Sequence, residues 1–242
     1  YPFAYDAFMA SEKMHWLHTE VPMSEDVKDY NQKLTASEKN FLIHILRFFT
    51  QGDLDVGEAY RKVYQGMFNE PEVNMMIASF QCREALHVAA YSHLVETLDL
   101  PETTYNQFME YKAMADKHQY HEVLIKDVDL EGSQIIDLAI FSGLVEGMQL
   151  FSSFVMLLNF ARHGKMRGMG QIISWSIADE TLHTESMIKL FREKVKEVGG
   201  LTDNSKSTIY SAAESLVALE DSFIDLAFEQ GEMEDLTAEQ VK

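Results

Sequence analysis

The sequence predicts an all-α protein built as a helical bundle, and three observations predict it. Apolar residues recur at three- and four-residue steps along most of the chain, and strand-like alternation is absent. All four prolines, Pro2, Pro22, Pro71 and Pro101, stand at helix starts or in loops, which leaves the second half free for long helices. Breaks fall at Gly66, at Asp99 to Pro101, between Gly164 and Gly170, at Gly199 and Gly200, and at Gly231, dividing the chain into segments of helical length.

In chain order, Tyr1 to Phe8 reads as the start of an extended N-terminal arm that covers about residues 1–34, and helices are expected at about 37–66, 71–98, 102–126, 132–162, 167–197 and 204–230. The first helix opens on Thr35, Ala36, Ser37 and Glu38, a capping-box pattern in which the Thr hydroxyl and the Glu carboxylate each satisfy a backbone N–H of the other. Its apolar stripe runs Leu42, Leu46, Phe49, Asp53, Val56, Tyr60, so Asp53 replaces a core residue while Asp55 points elsewhere with Gln51 and Glu58. Gly52 and Gly57 flank that carboxylate and permit a local distortion. The second stripe is Val73, Met76, Phe80, Glu84, His87, Tyr91, Leu94, Leu98, and that of the 167–197 helix is Ile173, Ile177, Glu180, His183, Met187, Leu190. In the 132–162 helix the residues between Asp137 and Arg162 carry a single charge, Glu146. A membrane span competes for that run, but Gln149, Ser152, Ser153, Asn159 and the glycines interrupt it and no second span accompanies it, which favours a bundle-core helix.

Two Glu-x-x-His pairs, Glu84/His87 and Glu180/His183, therefore aim at the core. With 24 Glu and 9 His in 242 residues, chance supplies about one such spacing. Three occur, and Glu12/His15, which continues no long stripe, reads as the coincidence. Spacing alone is weak evidence; position on the buried face is the argument, because an ionised carboxylate in apolar surroundings is costly unless paired or bound to metal. One carboxylate from each of two helices and a Glu-x-x-His from each of two others is the ligand set of ferritin-like di-iron and di-manganese proteins. Here the set is Asp53, Glu146, Glu84/His87 and Glu180/His183. Being oxygen-rich and free of thiolate, it suits Mn or Fe, two metal ions per chain, rather than zinc or an iron–sulfur cluster. The expected architecture is a ferritin-like helical bundle with a central four-helix two-metal site, and with no linker-like segment, residues 1–242 read as a single domain.

The net charge of −19 and the lack of a basic patch argue against a nucleic-acid partner. Neither a signal peptide nor a lipidation motif is present, so a cytoplasmic location is the expectation. Cys82 is the only cysteine, which excludes an internal disulfide; two residues before Glu84, it reads as a small buried hydrophobe.

Three segments are more specific. Arg83 to Leu98, Val145 to Phe151 and Ala178 to His183 resemble the small, radical-generating subunit of class I ribonucleotide reductase, and the resemblance extends from Tyr1 to Lys242. It implies a homodimer in which reduced metals react with oxygen or a reduced oxygen species and store a one-electron oxidant. A large (alpha) subunit would then use that oxidant, through a thiyl radical, to reduce ribonucleotides to deoxyribonucleotides; Cys82 being alone, the reducing cysteines would lie on that partner. The resemblance places the family's radical tyrosine on Tyr91, and its electron relay on Trp16, Asp179 and the ligand His87. Leu150 stands where the common di-iron members carry a phenylalanine, and the connection from Tyr91 to Glu146 is short. Both features resemble a shorter subgroup that includes dimanganese enzymes, in which the tyrosine can be present without holding the radical. Metal identity and radical location thus stay open. The further helices and docking tail of family members are expected to be missing beyond Lys242. Two other functions remain: a two-metal oxidase or monooxygenase on the same scaffold, which should lack the Trp16–Asp179 pair, and ferritin-like metal storage, which needs an assembled shell.

Overall fold

The structure, a computed structural model, describes residues 1–65, 67–100, 111–113, 115–116, 118–120 and 133–242, without the side chains of 47–51 and 133. Nine α-helices are assigned among these residues: α1 (Pro2–Lys13), α2 (Ser24–Gln32), α3 (Ala36–Ala59), α4 (Pro71–Thr97), α5 (Ser133–Ile140), α6 (Phe151–Arg162), α7 (Arg167–Glu197), α8 (Asp203–Gln230) and α9 (Ala238–Val241). There is no strand among them, only an isolated bridge between Met233 and Leu236. Most of the expected 102–126 helix, the Gly66 break and the Phe49 side chain lie outside what is described.

Local chemistry accounts for the long helices. At the start of α3, Glu38 N–H donates to Thr35 Oγ1 at 3.1 Å and Thr35 N–H donates to Glu38 Oε2 at 2.8 Å, the capping box in both directions. Pro71 takes the first position of α4, where a missing N–H costs nothing. The start of α7 is capped from a distance: Asp26 accepts from Gly168 and Met169 N–H, both at 2.9 Å, and Asp29 accepts from Met166 N–H at 3.0 Å. A Cβ on Gly168 would stand 2.6 Å from Asp26 Oδ2, so only glycine lets the two elements approach this closely.

Two expectations need correction. The N-terminal segment is not an extended arm but holds α1 and α2. Its small buried residues Ala4, Ala7 and Ser11 let α1 lie close on α4, where Arg83 donates to Ser11 O at 2.8 Å and the Ser11 and Ser79 hydroxyls lie in hydrogen-bond contact at 2.8 Å. Glu12 of the third Glu-x-x-His accepts from Ser79, and His15 lies against Arg83, so that pair serves docking. The 132–162 helix is also not continuous: α5 widens into a π-helical turn over Phe141–Glu146, and α6 starts only at Phe151. Gly147 follows the wide turn, where a Cβ would stand 2.8 Å from Thr184 on α7. Among the described residues, Gln134–Arg162 is the one stretch long and apolar enough to cross a membrane; 67% of its most apolar window is buried, as in a core helix.

The apolar interior forms two clusters. One contains Leu42 and Leu46 of α3, Tyr91 and Leu94 of α4, Leu150, Phe154 and Phe160, and Ile172 and Ile173 of α7. The other contains Val56 of α3, Val73, Met76 and Phe80 of α4, Phe141 and Val145, and Met187 and Leu190 of α7. On α3, α4 and α7 the sequence between the two clusters is where Asp53, Glu84 with His87, and Glu180 with His183 fall. A polar layer thus crosses the core between two apolar ones.

Candidate metal centre

All six sequence-predicted ligands lie in that layer, none more than 1% exposed. Asp53, Glu84, His87 and Glu180 offer atoms within 4.8 Å of one another, and so do Glu84, Glu146, Glu180 and His183. Glu84 and Glu180 belong to both groups. Their oxygens divide between the two imidazoles: Glu84 places Oε2 3.4 Å from His87 Nδ1 and Oε1 3.0 Å from His183 Nδ1, while Glu180 places Oε1 3.1 Å from His87 Nδ1 and Oε2 3.6 Å from His183 Nδ1. Each of these two carboxylates thus faces both imidazoles, and both would contribute to two adjacent cation positions.

The fit to metal rests on unsatisfied atoms. Among the described residues, no oxygen of Asp53, Glu84, Glu146 or Glu180 makes a geometrically acceptable hydrogen bond, nor do His87 Nδ1 and both His183 nitrogens. The atoms approach one another but are not aligned to donate and accept. A native core leaves few buried polar groups unpaired, and eight such oxygens around one point call for positive charge. Oxygen and imidazole donors without thiolate suit Mn or Fe.

Without cations, protons supply that charge. Burial alone would raise Glu180, but the imidazoles of His183 and His87 outweigh it and hold this carboxyl at about 2. Burial alone would lower His183, yet Glu180 and Glu84 hold its imidazole at about 10. Burial lowers His87 too and is overcome by Glu84 and Asp179, so it stays well above the ordinary histidine range. Asp53 and Glu146 are pushed well up, chiefly by burial and then by the neighbouring carboxylates, imidazoles pulling the other way. The layer therefore holds protons that cations would displace.

Around the ligands the structure brings Trp16, Asp179 and His87 into one chain. Trp16 Nε1–H donates to Asp179 Oδ2 at 2.8 Å, and the same oxygen lies 3.2 Å from His87 Nε2. The Trp16 and His87 rings also stack, with centroids 5.8 Å apart and planes 17° apart. By holding Nε2, Asp179 turns Nδ1 of His87 toward Glu84 and Glu180. Tyr91 is buried, and its hydroxyl donates to Ser176 Oγ at 2.7 Å. Sequence reasoning missed Ser176, although it lies one helical turn before Glu180 on the same side of α7. It placed Asp55 away from the stripe but missed its partner: His118 Nδ1 lies 2.6 Å from Asp55 Oδ2. Cys82, expected to be buried, is exposed: position 82 lies on the outward side of α4, whose inward side is taken by Phe80, Glu84 and His87.

Fold and site together define a class, the ferritin-like helical proteins with a carboxylate and histidine cluster at the centre of the bundle. The sequence matches the family model described as ribonucleotide reductase, small chain, over residues 1–242. It is 48% identical to the probable ribonucleoside-diphosphate reductase small subunit of Invertebrate iridescent virus 3, an alignment covering 100% of this chain and 69% of the viral protein. The fold resembles the ribonucleotide reductase R2 subunit from Clostridium botulinum with a TM-score of 0.86 at 20% identity, covering 100% of this chain and 77% of that one. It also resembles an R2-like ligand-binding oxidase solved with a Mn/Fe cofactor, with a TM-score of 0.81 at 17% identity, covering 98% and 87%. This chain belongs to the family of ribonucleotide reductase small subunits.

Proposed function

We propose that the chain is the oxidant-storing subunit of a class I ribonucleoside-diphosphate reductase, a homodimer that works in the cytoplasm with a large subunit where ribonucleotides are reduced. Bound Mn or Fe supplies, with oxygen or a reduced oxygen species, a one-electron oxidant. The residues of this chain do the rest. Asp53, Glu84, His87 and Glu180 would hold one ion, and Glu84, Glu146, Glu180 and His183 would hold the other. Asp179 fixes the orientation of His87 and accepts the Trp16 N–H, so a continuous buried path leads from a ligand to an indole. The two apolar clusters keep water from both sides of the layer.

The observation that carries this reading over a two-metal oxidase, which should lack it, is the Trp16–Asp179–His87 chain; storage would need an assembled shell. The test is turnover of a ribonucleoside diphosphate by the metal-loaded subunit with its cognate large subunit, together with elemental analysis. Two ions per chain and turnover that Trp16→Phe abolishes without loss of metal are expected. Full turnover by Trp16→Phe would remove the relay, and failure of the unsubstituted protein to bind two ions would remove the centre.

A further inference from the structure

The chain has two tryptophans, and they are in contact. The rings of Trp16 and Trp175 have centroids 5.4 Å apart and planes 34° apart, inside the range in which aromatic pairs attract. Trp16 therefore has two aromatic neighbours among the described residues, the imidazole of the ligand His87 and a second indole. Exposure rises along the three: His87 is 1% exposed and Trp16 4%, while Trp175 is partly exposed. Trp175 stands one turn before Asp179 on α7, so the helix that supplies the acceptor of the Trp16 N–H also supplies the second indole.

We propose that Trp175 is a second oxidisable indole of the electron path and carries it from the buried Trp16 to the protein surface. The proposal rests on the functional reading above. Trp16 is buried and its N–H is taken up by Asp179, so a path that ended there would stop short of anything outside the bundle. The step moves one electron. When Trp16 has given an electron toward the oxidised centre, the Asp179 carboxylate beside it offsets the positive charge of the oxidised indole, whose proton stays in the bond to Asp179. One electron then leaves the Trp175 ring and restores Trp16. The oxidised Trp175 gives its indole proton to solvent, which its partial exposure allows, and takes back an electron and a proton from outside when it is reduced.

The experiment activates the metal-loaded full chain and adds hexaammineruthenium(II), an outer-sphere reductant too large to enter the core. The decay of the stored oxidant is followed by absorbance and electron paramagnetic resonance, with metal content measured on the same samples. Trp175→Phe keeps a packed ring that resists oxidation, and it is expected to slow the decay about ten-fold, equivalent to about 1.4 kcal/mol of added barrier. Trp16→Phe should slow it at least as much, and the double variant no further than Trp16→Phe alone, because the two indoles act in series. Trp175→Tyr, which can be oxidised, should recover most of the rate, whereas a packing role would not separate Tyr from Phe. If Trp175→Phe holds less metal, Trp175→His, a smaller flat ring suited to a partly exposed position, is read in its place. Decay of Trp175→Phe at the unsubstituted rate while Trp16→Phe is slow, or equal slowing by Trp175→Phe and Trp175→Tyr, would overturn the proposal and leave the functional reading standing. Full-rate decay in Trp16→Phe, or failure of the unsubstituted protein to bind two ions, would overturn the functional reading and this proposal with it.

Discussion

Asp179 Oδ2 serves two neighbours at once, the Trp16 N–H and His87 Nε2, and this makes the position sensitive to a change of one atom. Asp179→Asn is nearly isosteric but replaces the charged oxygen that the indole and the imidazole share with that of a neutral amide, a weaker acceptor. It is expected to keep both ions and to lower turnover with the large subunit by about 10- to 100-fold, the usual cost of losing a partner that orients a ligand; unchanged turnover in a fully metallated variant would place the path elsewhere. Glu146→Ala and His183→Ala should each lose at least one metal equivalent by elemental analysis, while circular dichroism shows the helices intact, because packing outside the polar layer supplies most of the stability. Tyr91→Phe removes one buried hydroxyl and little volume and should retain appreciable turnover; an inactive, fully metallated variant would contradict this. The six clustered residues were legible in the sequence because a carboxylate on an apolar stripe is conspicuous. Ser176 was not, because serine is unremarkable on a helix and its role depends on which side chain faces it from α4.

Among elements, α7 shows how a distant segment sets the position of a site. It carries Asp179, Glu180 and His183, and the N–H groups at its first turn have Asp26 and Asp29 of α2 as partners. Asp26→Ala removes two of those bonds and should cost about 0.5–2 kcal/mol, the range for losing a helix cap, read as a lower melting temperature; an unchanged value would show that the cap is dispensable. Gly168→Ala should destabilise as well, since its Cβ would collide with Asp26. The long helices could be read directly because a stripe of 3.6-residue period, a capping box and Pro71 all act within one segment. α1 and α2 could not, because α1 buries only alanines and a serine, and its reason for being helical lies on α4. The break after Glu146 was hidden for a related reason: its apolar residues fit a continuous helix, and the wide turn there reflects close packing of Gly147 against α7.

For the molecule as a whole, the protonated layer links stability to pH. His183, held at about 10 in the metal-free fold against 6.5 ordinarily, adds stability that is complete below pH 6.5 and is lost as pH rises toward 10. Glu180, held at about 2 against 4.5, adds stability present above pH 4.5 and lost below it as pH falls toward 2. Asp53 and Glu146, both raised, stabilise the fold at low pH and cost stability once they ionise. The metal-free protein should therefore melt at progressively lower temperature between pH 6.5 and 10, and the loaded protein should not, because cations hold the same ligands deprotonated. Calorimetry across that range checks it, and a flat metal-free profile would refute it. Metal binding at pH 7 should also release protons, seen as a buffer-dependent binding enthalpy. A particle of about twice the 27.7 kDa chain mass by size exclusion would support the homodimer, and a large shell would support storage.

The polar layer between two apolar clusters also bears on how the molecule opens. Each cluster is a cooperative unit with its own reason to stay closed, whereas the seam joining them holds carboxylates that repel one another once deprotonated. In the metal-free state the central turns of α3, α4 and α7 should be the weakest stretches of otherwise long helices, exchanging their amide hydrogens sooner than the turns on either side. Loading the centre would rivet the two halves, and protection would then run unbroken along each helix.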